Sequence, residues 1–345
     1  CNWIVFLLLG IFAVETFFRA QTDIESIVDY GTTYLRICCL VSFGLYGQIC
    51  FERLLQSTGR TFYTMCSQGV GAIVNIILDP ILIFGLLGMP KMGVAGAAWA
   101  TVIGQITSML LGLYLNLRKN HDIKLNLKQA IPDRHILAQI YTVAIPSILM
   151  VSIGSIMTFL MNKILIVFSS TAVAVFGIYF KLQSFIFMPI FGLNNGMVPI
   201  VAFNYGARKK DRIVGTMKLS VLAACAIMMI GLAAFQFAPE WLLLLFDASD
   251  NMLSIGVPAL RTISLSFIFA SFNIVTGSVF QALGDAFYSL LVSILRQLVV
   301  LLPSAYLLSL TGVLANVWYC FPIAEIFSTI LTIILLRKVL RKLDF

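Results

Sequence analysis

The sequence predicts an all-α membrane protein in which two helical lobes repeat one plan in the same orientation. Three observations predict it. Hydrophobic residues fill 60% of 345 positions and charged residues only 11%, with a mean hydropathy of +0.99; a soluble domain carries about 25% charged residues. The apolar residues also run on for long stretches, about ten of which reach the roughly 20 residues that cross a bilayer. Finally, the first and last thirds of the chain match at a fixed offset of 225 residues.

In chain order the candidate spans cover roughly 3–18, 33–55, 61–88, 93–117, 137–163, 171–202, 216–246, 255–282, 287–310 and 312–336. Helix is expected over strand because a helix satisfies its backbone within its own segment, and these runs are long and continuous. Once they are placed, no soluble domain remains. The connections alternate in charge. Arg53 and Arg60, then Arg118, Lys119, Lys124, Lys128 and Arg134, then Arg208, Lys209, Lys210 and Arg212, then Arg337, Lys338, Arg341 and Lys342 mark every second one. The others hold mainly Asp23, Glu25, Asp29, Lys91, Asp247 and Asp250. Basic connections face the cytoplasm, so the C-terminus is expected inside a cytoplasmic membrane. The formal net charge of +8 then reflects topology and implies no nucleic-acid partner.

The chain opens with Cys1 inside an apolar run, without Met, basic leader or cleavage signal. A signal peptide is not expected, and the N-terminus of the protein is expected upstream. Cys1, Cys38, Cys39, Cys50, Cys66, Cys225 and Cys320 lack metal-ligand spacing and read as small core residues. The one long polar connection, 118–136, contains His121 and His135 and reads as a linker between a lobe at 1–117 and a lobe at 137–345. His121, Asp122 and His135 read as solvated loop residues in preference to metal ligands.

The repeat aligns Gly31, Leu35 and Arg36 with Gly256, Leu260 and Arg261, and Gln56, Gly59, Phe62 and Tyr63 with Gln281, Gly284, Phe287 and Tyr288. After a short gap, Gly93, Val94 and Trp99 fall on Gly312, Val313 and Trp318. Each half therefore carries Gln-x-x-Gly-x-x-Phe-Tyr at a cytoplasmic turn. Two halves related about the membrane normal, with a cleft between them, are a plan of secondary transporters. The second copy holds six spans and the first only four, so twelve helices in two six-helix lobes are expected of the parent protein, with the first two absent here.

Ionisable groups within spans are costly and mark candidate sites. Glu15 is one of these candidates; Arg36, Glu52, Lys163 and Arg261 fall near helix ends, where a long side chain can snorkel, and read as structural. Asp79 stands out because Asn75 lies one turn before it on the same helix face, and Pro80 removes a donor from the preceding turn. A carboxylate, an amide oxygen and freed carbonyls, with Thr101 from the next span, make an oxygen-rich site for Na⁺ or a proton; simple packing is the competing reading. The repeat replaces Asn75, Asp79 and Pro80 with Val300, Ser304 and Ala305, so one half is expected to bind an ion there and the other not. Arg296 and Glu325 are a possible buried pair, serving either packing or coupling. Lys181, Gln183, Phe187, Met188, Asn194 and Asn195 on one long span would suit a cleft for bulky amphipathic cations, or simply face lipid and core.

At Leu55-Gln-Ser-Thr-Gly59, Asn75-Ile-Ile-Leu-Asp79-Pro80, Gly93-Val-Ala-Gly-Ala-Ala, Phe191-Gly-Leu-Asn-Asn and Asn204-Tyr-Gly-Ala207 the chain resembles the multidrug and toxic compound extrusion (MATE) family, in its bacterial DinF-like branch. The resemblance implies twelve helices in two lobes and alternating access driven by Na⁺ or H⁺. It also implies a cation site in the N-terminal lobe that joins a first-helix aspartate to Asn75, Asp79 and Thr101. The expected function is a cation-coupled antiporter exporting small organic, often cationic, compounds, monomeric in membrane lipid and without a cofactor beyond the coupling ion. A flippase for lipid-linked or oligosaccharide substrates is the alternative, disfavoured because only Lys181 and Arg296 could meet a pyrophosphate. An enzyme is not expected, since no carboxylate or histidine cluster gathers at one membrane face.

Overall fold

The computed structural model describes residues 2–20, 24–123 and 133–343. Cys1, Asp23, Lys124 and Lys128, named above, lie outside them. Among the described residues all regular structure is helical: α1 (Asn2–Phe12), α2 (Val14–Arg19), α3 (Glu25–Leu40), α4 (Phe43–Ser57), α5 (Thr61–Phe84), α6 (Val94–Lys119), α7 (Arg134–Ile166), α8 (Ser170–Gly206), α9 (Lys210–Phe237), α10 (Pro239–Leu244), α11 (Asp250–Ser264), α12 (Phe267–Ala282), α13 (Ala286–Ile294), α14 (Leu302–Ser309), α15 (Leu314–Val317) and α16 (Cys320–Lys342). A π-helical stretch, Leu295–Leu301, joins α13 to α14 within one span.

Among the described residues, seven helices are long and apolar enough to cross a membrane, or up to nine if each of two bent pairs counts once. The first expected span, 3–18, is shorter than anticipated. It breaks at Ala13, and its apolar part is Trp3–Phe12. Side chains start several helices. Asp133 accepts from the His135 and Ile136 amides ahead of α7, and Ser169 and Ser249 cap α8 and α11, each supplying an acceptor that the first turn lacks.

The chain divides into two compact units, Cys1–Ala130 and Ile131–Phe345. The repeat holds within each of them at atomic detail. The pair α3–α4 bends by 50° and the pair α11–α12 by 52°. After α4 the Gly59 amide donates to Gln56 O (2.9 Å) and the Arg60 amide to Leu55 O (2.8 Å); after α12 the Gly284 and Asp285 amides do the same to Gln281 O and Phe280 O (3.1 and 2.9 Å). Gly59 and Gly284 both have positive φ, 75° and 84°, which explains why both copies keep glycine at this step. The Thr64 hydroxyl donates to Glu52 O, and Ser289, 225 residues later, donates to Gly277 O.

The same turn carries an ion pair whose polarity is exchanged between the copies. In the N-terminal unit Arg60 meets Asp122 just beyond α6 at 3.2 Å; in the C-terminal unit Asp285, its repeat counterpart, meets Lys342 at the end of α16 at 3.4 Å. Each pair ties the turn of its own unit to the end of that unit's last helix. The partners are at least a quarter exposed, so solvent screens each pair and neither adds much stability.

Helices in lipid gain little from burying apolar side chains against one another, and close backbone approach takes over. The α5–α6 contact shows this. Ser67, Gly71 and Asn75 line one stripe of α5 against Ser108 and Gly104 of α6. The Ser108 hydroxyl donates to Ser67 O at 2.8 Å. A Cβ on Gly104 would lie 2.7 Å from the Gly71 carbonyl oxygen, and one on Gly71 would lie 2.8 Å from that of Gly104. The C-terminal unit packs on an aromatic core instead: Tyr179 meets Phe321 at 5.8 Å, Phe235 meets Phe267 at 5.2 Å, and Trp318 is buried against Phe176.

Gly104→Val should destabilise the purified protein by about 1–3 kcal/mol, because the opposing atom is backbone and cannot turn aside. Gly177→Val, with nothing within 4 Å of its Cβ position, should leave the unfolding temperature within a degree or two of wild type. Thermal unfolding in one detergent compares them.

Candidate cation and substrate sites

The small-residue stripe that joins α5 to α6 also places the sequence-expected cation residues. Asn75 follows Gly71 by one turn and Asp79 follows Asn75 by another. Across the seam the Asn75 amide donates to Thr101 Oγ1 at 3.5 Å, and the Thr101 hydroxyl donates to Ala97 O at 3.0 Å. The Thr101 hydroxyl proton is therefore occupied, and its oxygen faces Asn75 as an acceptor. The α5 helix continues through Pro80 to Phe84. Pro80 has no N–H, so the Ile76 carbonyl lacks its intrahelical donor. Asp79 is half-buried and has no hydrogen-bond or ion-pair partner among the described residues. The arrangement is a lone carboxylate, a released carbonyl, an amide and a hydroxyl on two adjoining helices: oxygen chemistry suited to a small hard cation or a proton.

The residues expected to line a substrate cleft divide between two faces of α8. Lys181, Met188 and Asn195 recur every seven residues and are exposed, and Lys181 Nζ sits 5.7 Å from the Phe246 ring centroid. Gln183, Phe187 and Asn194 turn the other way. Phe187 packs edge-on against Phe267 at 5.6 Å, and Asn194 is buried with its Oδ1 unpartnered. The exposed stripe lies on the outside of the unit, whereas Phe187 and Asn194 sit within its packing and Gln183 is half-buried. The helical period separates neighbours that the linear sequence groups together.

Arg296 and Glu325 do pair, Nη1 to Oε1 at 3.1 Å. Sequence reasoning missed their third member, Asn273 on α12, whose amide donates to Glu325 Oε2 at 2.7 Å. The available signal was an asparagine in an apolar span, aligned by the repeat with Gln48. Gln48 behaves in parallel. It donates to Glu52 Oε1 at 2.9 Å, while Gln68 donates to Oε2 at 2.8 Å, so Glu52 is a buried carboxylate held by two neutral amides. Glu15 bonds Arg19 at 3.1 Å and faces Arg36 at 3.9 Å, on the wall of a pocket of about 480 Å³ that also includes Asp29 and Thr32. Among the described residues no group of three or more His, Cys, Asp or Glu is placed to hold a metal ion; His135 contacts Gln139 at 3.1 Å.

Comparison with known proteins decides the family. The MatE family profile matches residues 3–81 and 146–307. The chain belongs to the MatE family. MatE proteins are transporters, not enzymes. The multidrug export protein MepA of Staphylococcus haemolyticus is 27% identical over 292 residues, covering 84% of this chain and 63% of that protein. MepA of Staphylococcus saprophyticus is 25% identical over 316 residues, covering 91% and 69%. The chain thus spans less than two thirds of the length of the first of these relatives. Among solved structures, a MOP superfamily transporter from Pyrococcus furiosus superposes with a TM-score of 0.89 at 26% identity, covering 99% of this chain and 78% of that one. The outward-facing form of a multidrug resistance MATE family transporter gives 0.88 at 26% identity with the same coverage. The all-α, multi-pass membrane architecture expected from the sequence is therefore the MatE architecture.

Because Asp79 has no internal partner, its charge contributes no pairing energy to the folded MatE chain. Asp79→Asn in Na⁺-free buffer should unfold at the wild-type temperature or above it. A drop of several degrees in a thermal melt would show a hidden partner for the carboxylate.

Proposed function

We propose that this MatE protein exports small organic compounds across a cell membrane in exchange for Na⁺ or H⁺, with Asp79 as the residue that binds the coupling ion. The observation that carries the reading is an unpaired carboxylate in the C-terminal part of a membrane helix, one turn beyond Asn75, whose amide meets Thr101. A charge without partner or water in a span costs several kcal/mol, and a bound cation or proton removes that cost. The export reading draws on the MepA relatives, which are named as multidrug export proteins.

Coupling follows if the ion and the substrate prefer different states of the protein. A ligand shifts a two-state equilibrium only by its difference in affinity for the two states. Ion binding at Asp79 would favour one state and a bound organic cation the other, and neither needs to touch its competitor. The exposed Lys181–Met188–Asn195 stripe offers a flexible thioether, an amide and an aliphatic stem. Those are adaptable contacts suited to varied amphipathic substrates. The basic residues Arg53 and Arg60 at the first repeated turn, Arg208, Lys209, Lys210 and Arg212 at the α8–α9 connection, and those along the end of α16 support an orientation with the C-terminus in the cytoplasm.

The test is efflux of a fluorescent cationic dye from an efflux-deficient host under imposed Na⁺ or pH gradients. Wild type should export the dye when one of these gradients is supplied. Asp79→Asn should reduce export to the level of the empty host while reaching the membrane in normal amount. Unchanged ion dependence in Asp79→Asn would end the assignment of Asp79.

A further inference from the structure

The last helix ends in a charge pattern that its own contacts do not balance. Arg337, Lys338, Arg341 and Lys342 fill the final turns of α16, and all four are exposed. They form two pairs four residues apart, a spacing at which like charges destabilise a helix. Among the described residues one carboxylate meets them: Asp285, 3.4 Å from Lys342. A helix C-terminus favours cations in its last turn, but that alone does not gather two of them on one ring. Lys338 Nζ lies 5.8 Å from the Tyr288 ring centroid, and Lys342 Nζ lies 5.5 Å from the same centroid. Tyr288 is held by an edge-on contact at 5.9 Å with Phe280, which is fully buried.

The other unit shows how the shared plan closes this corner without such a cluster. The offset that places Gly93 on Gly312 aligns Arg337 and Lys338 with Arg118 and Lys119, but Arg341 with Asp122 and Lys342 with Ile123. A carboxylate thus stands in the first unit where Arg341 stands in the second, and it pairs with Arg60 at 3.2 Å. Tyr63, the counterpart of Tyr288, meets Phe62 at 6.1 Å and, among the described residues, no cation. The surplus positive charge and the two ammoniums on one ring are additions to the repeat.

We propose that the corner between α13 and α16 binds an anionic phospholipid, its phosphate between Lys338 and Lys342 and an acyl chain along α16. The surroundings decide for a lipid over a soluble anion. One and two turns before Lys338 the same stripe of α16 presents Ile334 and Ile330, both exposed, and α13 presents exposed Phe287. An apolar stripe that ends in two ammoniums matches a phospholipid from chain to headgroup. Clusters of about four or more Lys and Arg at the end of a membrane span attract anionic headgroups. A phosphate there also offsets the repulsion between the two lysines. Lysine meets phosphate as a point charge on a flexible stem, so Lys342 can keep Asp285 or exchange it for the lipid. The site needs neither Asp79 nor a particular direction of transport.

The test titrates the full chain in neutral detergent with phosphatidylglycerol or phosphatidylcholine and reads bound lipid by native mass spectrometry. Wild type should hold phosphatidylglycerol the more tightly. Lys338→Gln leaves the Asp285 pair intact and should weaken phosphatidylglycerol about fivefold, the share of one basic residue beside anionic lipid. Adding Lys342→Gln should weaken it by a similar factor again, and Asp285→Asn, which frees Lys342, should tighten it. Lys338→Arg keeps the charge and should bind like wild type, which guards against a loss caused by misfolding. Arg118→Gln with Lys119→Gln removes the same charge from the other unit and should change nothing, and excess inorganic phosphate should not displace the lipid. The proposal is overturned if phosphatidylcholine binds as tightly, or if the two-lysine variant binds phosphatidylglycerol like wild type. It is equally overturned if the Arg118 and Lys119 variant loses as much binding, or if inorganic phosphate displaces the lipid.

Discussion

In a hydrocarbon surround, a leucine gains almost nothing by moving from lipid to a neighbouring helix. Helices stay together where their backbones can touch or where polar groups bond across the gap. The rest of this structure depends on that constraint. In the N-terminal unit it is met by carbonyl oxygens less than 3 Å from where a neighbouring glycine would carry its Cβ, at Gly71 and Gly104. The serines flanking that contact exchange hydrogen bonds. In the C-terminal unit aromatic packing does much of the work, and the polar bonds concentrate at Asn273, Arg296 and Glu325.

The same constraint positions the candidate sites. A stripe with a period near four residues keeps Ser67, Gly71, Asn75 and Asp79 on one side of α5, so the contact that holds α6 close also brings Thr101 to Asn75. Structure and chemistry share one seam. In the other unit, polar groups join α12, α16 and the π-helical stretch.

The two units keep the same backbone plan while differing in chemistry. The bends of 50° and 52°, the turn hydrogen bonds and the positive-φ glycines repeat at an offset of 225. The side chains do not. Arg60 becomes Asp285, and each finds a partner of opposite charge at the end of its unit's last helix. Gln48 becomes Asn273, and each holds a buried carboxylate, supplied from the same helix in one unit and from α16 in the other. Backbone geometry tolerates such exchanges because the turns require a particular φ but no particular charge.

The sequence by itself determined the all-helical membrane class, the ten apolar segments, the repeat and the Asn75–Asp79–Pro80 spacing. Each rests on local composition or on spacing along one helix. It also paired Arg296 with Glu325. Only the tertiary structure decided which polar groups meet. It divided Lys181, Met188 and Asn195 from Gln183, Phe187 and Asn194, because a helix turns neighbours to opposite faces. It brought Asn273 to Glu325 across 52 positions and showed the first apolar segment broken at Ala13. Contacts between helices depend on crossing angle and register, set by the packing of many small side chains at once. No single stretch of sequence records them.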